Sequence, residues 1–545
     1  MAIGRIAALI GAFLLSYAGL TSRLYDIQIN HGREYRALAE RSYRVGEKQD
    51  AERGVIFFTD KDGDELAAVT NKNFQKIYVS PKEIQDYAEA ANQLSAILNL
   101  PAGELAVKLK GNGPKDDYKL LVRRADEDTI SAVMDANIKG VYVGDDPARF
   151  YYSGSVASHL LGFVSPNSED SGKSGKYGLE KFYEKELGGT PGEITADGKF
   201  ILPVRGEDLY LTIDLNIQKE GEGILKKIIE EYNAKGGSVI VEEPSTGKIL
   251  AMASYPDFDP NSYSKSDVSL FQNPVTEQRY EPGSVFKIIT MAAALDAGKV
   301  TPETKYNDTG KLVVYDKTIQ NWDLKAHGWM TMTNVIEKSL NTGSAFAEKK
   351  LGHTLFSSYV KKFGLGEKTE IDLPGEIQGD LKSIVPKSPE INYVTASYGQ
   401  GISVTPIEMI NAASAIANGG KLMRPYLNSG LEPEVVRQVI NKETATQISN
   451  MMVSAVDKAE VAHIKGYSLA GKTGTALVPE RGIYTDKVIN TYVGFGPAPD
   501  PKFVILIKLN EPQGAPLAGQ TVVPAFRDLA QFILNYYNIP PDRVE

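Results

Sequence analysis

Hydrophobic residues crowd the start of the chain: Ile6 to Ser22 reads IAALIGAFLLSYAGLTS, uncharged between Arg5 and Arg23. Seventeen residues is the short end for a membrane span, although arginines at both ends can snorkel and extend it. A cleaved signal peptide is the rival, because Ser16-Tyr17-Ala18 is a passable small-x-small cleavage site. The pattern runs on unbroken into Leu24-Tyr25-Asp26-Ile27-Gln28-Ile29, which favours an anchor helix over residues 1–29. The short basic tail Met1 to Arg5 places its N-terminus in the cytoplasm. On either reading the bulk of the chain is exported, so the expected location is the cell membrane, single-pass, with the remainder extracytoplasmic.

Residues 30–205 alternate short strands and helices and carry no catalytic constellation, which suits a spacer or interaction domain. Ile84, Tyr87, Ala91, Leu94 and Leu98 recur at 3-4-3-4 spacing and predict an amphipathic helix packed on a sheet. Tyr177 to Leu187 predicts another helix, closed by Gly188-Gly189. Arg53 to Phe58 reads as a strand entering an Asp-Lys-Asp-Gly turn.

From Asp208 the texture changes, and residues 206–545 read as one further domain. Asp208 to Ile213 is a strand, and Asp214 can cap a helix with Ile217, Ile224 and Ile228 on its apolar side. Strands follow at 237–242 and 248–253, joined by the turn Pro244-Ser245-Thr246-Gly247. The far end mirrors this, with strands near 467–476, 490–496 and 503–509 and a last helix from about Pro524 to Tyr536. Strands at both ends enclosing a helical middle imply one sheet assembled from sequence-distant parts. The fold class expected is α/β of the α+β type.

At 545 residues the chain is too long for one core. Its net charge of −9 argues against a nucleic-acid backbone as partner, since that binding rests on clustered Lys and Arg. There is no cysteine, which removes disulfides, thiolate metal sites and a cysteine nucleophile. The five histidines, at 31, 159, 327, 353 and 463, form no local metal motif, and no Gly-x-Ser-x-Gly elbow occurs. Hydroxyl chemistry here needs a base other than histidine.

Ser-x-x-Lys occurs four times, at Ser245/Lys248, Ser262/Lys265, Ser284/Lys287 and Ser358/Lys361. The first lies in a turn, the second in a polar loop, and the fourth on a helix whose lysines 361 and 362 read as a solvated face. Ser284 differs: Glu281-Pro282-Gly283 ends what precedes, and the apolar helix Ile288 to Leu295 follows. Ser284 is therefore expected at a helix start, where free N–H groups and the helix dipole favour developing negative charge. Lys287 shares its face, within reach of the hydroxyl. Fifty-five residues on comes Ser339-Leu340-Asn341, and 133 further on Lys472-Thr473-Gly474-Thr475.

These three stretches resemble, in family order, the Ser-x-x-Lys, Ser-x-Asn and Lys-Thr-Gly motifs of the penicillin-recognising serine acyltransferases. Tyr398-Gly399-Gln400-Gly401 with Thr405-Pro406, Thr212-Ile213-Asp214 with Gln218, Gly178-Leu179-Glu180 and Arg53-Gly54 are similar to the class B, monofunctional penicillin-binding proteins. Motif spacing and Asn341 resemble the septal, cell-division members more than the elongation ones. Two departures lie in the N-terminal half: Arg149-Phe150-Tyr151-Tyr152 stands for Arg-x-Tyr-Pro, and the aspartate after Arg53-Gly54 comes late, at Asp60.

The resemblance implies an anchor, an elongated pedestal or dimerisation-type domain, and a transpeptidase domain whose antiparallel sheet is flanked by helices, with an all-helical subdomain. It implies acyl transfer on peptidoglycan stems ending in D-Ala-D-Ala, inhibition by β-lactams, and no cofactor or metal. Partners would include a membrane glycan polymerase and division or elongation proteins. Ser284 would be the nucleophile. An unperturbed lysine is neutral only about once in 10³ molecules at pH 7, so Lys287 needs burial and a nearby cation, Lys472, to serve as base. Ser339 would relay the proton, Asn341 hold the substrate peptide, and Lys472, Thr473 and Thr475 meet its carboxylate. Gly474 completes that substrate-binding motif. The N–H groups of Ser284 and Thr475 would form the oxyanion hole.

Three rivals stay open at this point. Gly466 to Thr473 matches the P-loop pattern, although Gly474 to Pro479 cannot begin a stable helix and an exported domain would meet little ATP. A penicillin sensor or scaffold would not need all three motifs. A class A β-lactamase supplies a deacylating carboxylate from Glu-x-x-Leu-Asn, and the one such string, Glu337 to Asn341, overlaps the second motif. Glu337 is expected to be a solvated helix residue instead.

Overall fold

Asp214 ends one strand and starts one helix with a single side chain: its Oδ1 accepts from the N–H of Asn216 at 2.8 Å and of Ile217 at 3.1 Å. The computed structural model that places it describes residues 2–31, 51–110, 117–166, 173–194, 200–480 and 483–543. The chain divides into two units, Met1–Gly54 with Pro166–Ser174 and Lys185–Glu207, and Val55–Ser165 with Gly175–Glu184 and Asp208–Glu545.

In the first unit, helix α1 spans Ala2–Tyr25 and exposes Phe13, Leu14, Leu15 and Leu20. Among the described residues no helix is long and apolar enough to cross a membrane. The same unit holds a small ribbon of Glu193–Ile194 with Phe200–Ile201.

The second unit begins with β1 (Ile56–Thr59) and β2 (Glu65–Val79). Helices α2 (Tyr87–Leu98) and α3 (Ala102–Lys110), strand β3 (Lys119–Ala125), helix α4 (Glu127–Ala136) and strand β4 (Val141–Tyr151) follow. Sheet order is β3-β2-β1-β5, where β5 is Leu209–Asp214, parallel to β1, and β4 lies along β2. Leu94, Leu105, Leu109, Ile130 and Val133 of the three helices cover Ile77 and Val79. Asp86 caps α2, so Ile84 precedes the helix expected to contain it. The expected helix 177–187 is two pieces, Gly178–Phe182 and Glu184–Gly188, interrupted at Tyr183. Both departures from family pattern have local explanations. Arg149 still meets Glu180 in a buried ion pair at 2.6 Å, joined by the Asn71 side chain at 3.1 Å. Asp60 closes its own turn by accepting from the N–H groups of Asp62 and Asp64.

The rest of the second unit starts with α5 (Leu215–Glu231), β6 (Gly236–Glu242) and β7 (Ile249–Tyr255). It closes with β8 (Ala470–Glu480), β9 (Ile483–Gly496), β10 (Phe503–Asn510) and the last helix, Val522–Tyr536. These five strands form one antiparallel sheet in the order β7-β6-β10-β9-β8, with Glu242 opposite Val504. Strand alternation sends Val239, Val241, Ile505, Ile507 and Leu509 to the face covered by α5 and the last helix. The other face receives the helix Pro406–Ala417. Helix α6 (Lys287–Asp296) is buried at every residue from Lys287 to Leu295, as a helix apolar all round must be.

The middle of the chain is not all-helical. It carries three ribbons, Lys305–Asp308 with Gly328–Thr331, Lys311–Val314 with Lys317–Gln320, and Lys421–Met423 with Val435–Gln438. In the second ribbon Leu312, Val314 and Ile319 find a core of their own against Ala345, Val394 and Tyr398.

Candidate active site

The nucleophile turn depends on a residue without a side chain. Gly283 has φ +58°, in the left-handed region, and a Cβ there would stand 3.1 Å from the Thr475 carbonyl oxygen. Gly474 faces it across the cleft, where a Cβ would fall 2.8 Å from the Pro282 oxygen. The two glycines let β8 lie directly on the turn. Ser284 sits in a 3₁₀ turn, Gly283–Phe286, that feeds α6, one step earlier than the α-helical start expected. Residues three apart eclipse in such a turn, so Ser284 and Lys287 stand one above the other.

Lys287 is 1% exposed. Its Nζ donates to the Ser339 carbonyl oxygen at 2.6 Å and to Asn341 Oδ1 at 2.8 Å, and it lies 3.2 Å from Ser339 Oγ. Ser339 terminates α7 (Met332–Lys338) in the left-handed conformation, φ 56°, and Asn341 opens α8 (Asn341–Leu351). The reversal between these helices brings the Ser339 oxygens and Asn341 Oδ1 onto one amine. From the other side Lys472 Nζ reaches Ser339 Oγ at 2.9 Å and the Thr473 carbonyl at 3.0 Å. Two buried lysines thus share one serine hydroxyl, and no carboxylate among the described residues pairs with either. Burial, and then the Lys472 ammonium, push Lys287 well below its ordinary range, and burial brings Lys472 to about 7. A neutral Lys287 has two hydrogens, which the carbonyl and the amide oxygen take, leaving its lone pair for a hydroxyl.

Strand β8 is an edge strand, hydrogen-bonded only to β9. The Thr475 carbonyl faces the nucleophile turn, and in a strand a residue's N–H points to the same edge as its C=O. The Thr475 hydroxyl is engaged elsewhere: it lies 3.3 Å from Asn490 Oδ1 and accepts from the Ala518 N–H at 3.3 Å. Thr473 Oγ1 lies 3.3 Å from Lys472 Nζ.

The structure therefore brings Ser284, Lys287, Ser339, Asn341, Lys472, Thr473, Gly474 and Thr475 to one cleft, and none of the other Ser-x-x-Lys pairs. Ser245 stays in the β6–β7 turn, Ser262 in a 3₁₀ segment, and Lys361 and Lys362 are exposed at a helix end. Gly471, Lys472 and Thr473 are strand, which removes the P-loop reading.

Glu337 is not solvated: its side chain is 4% exposed, and it ties α7 to the helix Lys442–Ala459. Oε1 accepts from Ser454 at 2.6 Å and Lys458 at 2.7 Å, and Oε2 from Asn334 at 2.8 Å. Burial opposes its charge, but these three donors together hold the carboxyl below the ordinary range. With its oxygens so occupied it has no place as a deacylating base.

Sequence reading missed Asn490, and it missed the stretch beside Asn341, where the Gln320 carbonyl accepts from Asn341 Nδ2 at 2.8 Å and the Trp322 indole donates to Lys338 at 2.9 Å. One signal was present: Trp322 is one of only two tryptophans and is 60% exposed.

Comparison with known proteins agrees with this geometry. Residues 237–531 match the penicillin binding protein transpeptidase domain, and residues 48–211 the penicillin-binding protein dimerisation domain. Stage V sporulation protein D of Bacillus subtilis is 33% identical over 532 residues, 92% of this chain and 81% of that protein. Peptidoglycan D,D-transpeptidase FtsI of Escherichia coli is 30% identical over 560 residues, 99% of this chain and 92% of its own. In fold, penicillin binding protein 2X from Streptococcus thermophilus superposes with a TM-score of 0.72 at 22% identity, covering 91% of this chain and 81% of that one.

Proposed function

The chain belongs to the penicillin-binding protein transpeptidases, and from that premise we infer that it cross-links peptidoglycan stem peptides through an acyl-enzyme on Ser284. The observation that carries the reading is the Ser339 hydroxyl held between two buried, carboxylate-free lysines. Ser284 Oγ attacks the carbonyl of the penultimate D-Ala while Lys287 takes its proton. The N–H groups of Ser284 and Thr475 stabilise the oxyanion, worth about 3–4 kcal/mol per donor. As the C–N bond breaks, Ser339 passes a proton from Lys287 to the departing D-Ala nitrogen. An amine of a neighbouring stem then attacks the ester, gives up its proton by the same relay, and restores Ser284.

Asn341 holds the substrate peptide, while Lys472 and Thr473 meet its terminal carboxylate and Gly474 lets the strand approach. A β-lactam enters the same cycle and stops at the ester. Mapping the benzylpenicillin adduct by peptide mass spectrometry tests the assignment: it is expected on Ser284 and absent from Ser284→Ala. An adduct on Ser245, Ser262 or Ser358 would overturn it.

Three parts share the work in this proposal: an anchor at residues 1–29, a pedestal at 30–205 and the transpeptidase at 206–545. The uncharged run 6–22 and the exposed apolar side chains of α1 support the anchor, although the run is short and needs snorkelling arginines. Release of the chain from membranes by alkaline carbonate would count against it. Motif spacing and Asn341 favour septal wall synthesis. The N-terminal half offers no paired carboxylate motif resembling a glycosyltransferase, so a separate membrane polymerase supplies the strands. Glycan made from lipid-linked precursor by the purified chain alone would contradict that division of labour.

A further inference from the structure

Glu281 stands three residues before Ser284, and its carboxylate reaches two other elements at once. Its Oε1 accepts from the Gly401 N–H at 3.1 Å, and the Tyr484 hydroxyl lies 3.2 Å from Oε1 and 3.1 Å from Oε2. Gly401 belongs to the loop that borders the turn at Gly399 and Val404. There the Gly283 N–H donates to the Gly399 carbonyl at 3.0 Å, and Tyr280 and Val404 exchange both main-chain hydrogen bonds. Contact is so close that a Cβ on Gly399 would stand 2.2 Å from the Gly283 oxygen. Tyr484 lies on β9 opposite Pro479 of β8, the strand that carries Thr475.

The two expected oxyanion donors thus come from separate elements, Ser284 from the turn and Thr475 from β8, and main-chain contact alone leaves their spacing to the lie of an edge strand. One carboxylate spans the difference. It is held by the loop behind the turn and by the hydroxyl of the strand paired to β8.

We propose that Glu281 is a positioning residue for the oxyanion hole: it fastens the Ser284 turn to Gly401 and to Tyr484, and so fixes the distance between the Ser284 and Thr475 N–H groups. The proposal rests on the transpeptidase reading of this cleft. Glu281 acts in this proposal through the spacing of the two donors, so its loss falls on the acylation step. A misplacement of about 1 Å at a reacting centre costs on the order of 100-fold in rate, and loosening one of two donors is expected to cost about 10- to 100-fold.

The test uses the full chain and rapid-mixing kinetics with benzylpenicillin, separating the non-covalent dissociation constant from the acylation rate constant. Glu281→Met keeps the side chain's reach and removes both accepting oxygens, and Tyr484→Phe removes only a hydroxyl; the thermal unfolding midpoint of each variant checks that it is folded. Acylation is expected to slow by about 10- to 100-fold in Glu281→Met, and in Tyr484→Phe in the same step, with the dissociation constant within about twofold. Because Tyr484→Phe removes a contact already absent in Glu281→Met, the double variant should be no slower than Glu281→Met. A dissociation constant that rises while acylation holds, multiplicative losses in the double variant, or unchanged acylation in both singles would overturn the proposal. Each of those results leaves the transpeptidase reading standing, whereas absence of any Ser284 adduct in the unsubstituted chain would remove that reading itself.

Discussion

Replacing Lys472 by methionine keeps most of the side chain's bulk and deletes its charge. Ser339 Oγ lies 3.2 Å from Lys287 Nζ and 2.9 Å from Lys472 Nζ, so the two nitrogens are at most about 6.1 Å apart. At an effective dielectric of about 20, unit charges at that separation repel by about 2.7 kcal/mol. That is roughly a hundredfold in the ratio of neutral to protonated Lys287 at fixed pH. Lys472, brought to about 7 by burial, carries its proton on the acid side of that value, where the repulsion operates. There it disfavours a second proton on Lys287 and keeps the base free.

In Lys472→Met the protonated form of Lys287 gains, and the acid limb of the acylation profile moves to higher pH. Burial still holds Lys287 below a free lysine, so the limb does not travel all the way to one. The assay is the rate constant for Ser284 acylation by benzylpenicillin across about pH 5 to 9, spanning the Lys472 value and the range below it. Loss of the carboxylate contact lowers the curve everywhere, so its position and not its height is the readout. An acid limb that stays in place would refute the claim that the two amines share their charge.

Three other outcomes follow from the structure. The penicilloyl ester should last through a chase with unlabelled drug, and Glu337→Gln should leave its lifetime unchanged; rapid turnover would restore the lactamase reading. Arg149→Met removes one partner of the buried Glu180 carboxylate, whose Oε1 also lies 3.4 Å from the Tyr151 hydroxyl, and should cost about 1.5–3 kcal/mol in denaturant unfolding of the full chain, and a loss below about 0.5 kcal/mol would show that the pair does not hold its region together. Glu242, buried on β6, is pushed to about 8 by burial, above its ordinary 4.5. Its neutral form therefore stabilises the fold fully below pH 4.5 and the benefit drains as pH rises to about 8, by roughly 1.4 kcal/mol per pH unit inside that window. Glu242→Gln should remove that slope from a plot of unfolding midpoint against pH, and an unaltered slope would show that Glu242 is not its source.

The candidate site residues were legible because the chemistry expected of them is tied to residue type, order and spacing. Ser284, Lys287, Ser339, Asn341 and Lys472 could be named before any coordinates, and the two-ended sheet followed from where the strand patterns fell. What was not legible depends on tertiary neighbours. Glu337 reads as an ordinary helix carboxylate until Ser454 and Lys458, more than a hundred residues on, fold against it. Asn490 carries no motif and matters because its amide oxygen meets the Thr475 hydroxyl. The ribbons in the middle are four residues long or shorter, too brief for alternation to separate from loop.

The sheet's assembly from both ends of the catalytic half has a consequence in time. A chain delivered N-terminus first brings out β6, β7, Ser284 and Lys287 long before Lys472, and β6 waits for β10, with Glu242 paired to Val504, before its inner edge is closed. Contacts this distant in sequence form late and slowly. Until they do, Lys287 lacks the cover and the neighbouring charge that the proposed mechanism needs, and on that mechanism the serine remains an ordinary alcohol. A chain cut short before Phe503 would carry all three motifs but lack β10, the strand through which β6 and β7 join β9 and β8, so possession of the motifs alone does not assemble the cleft.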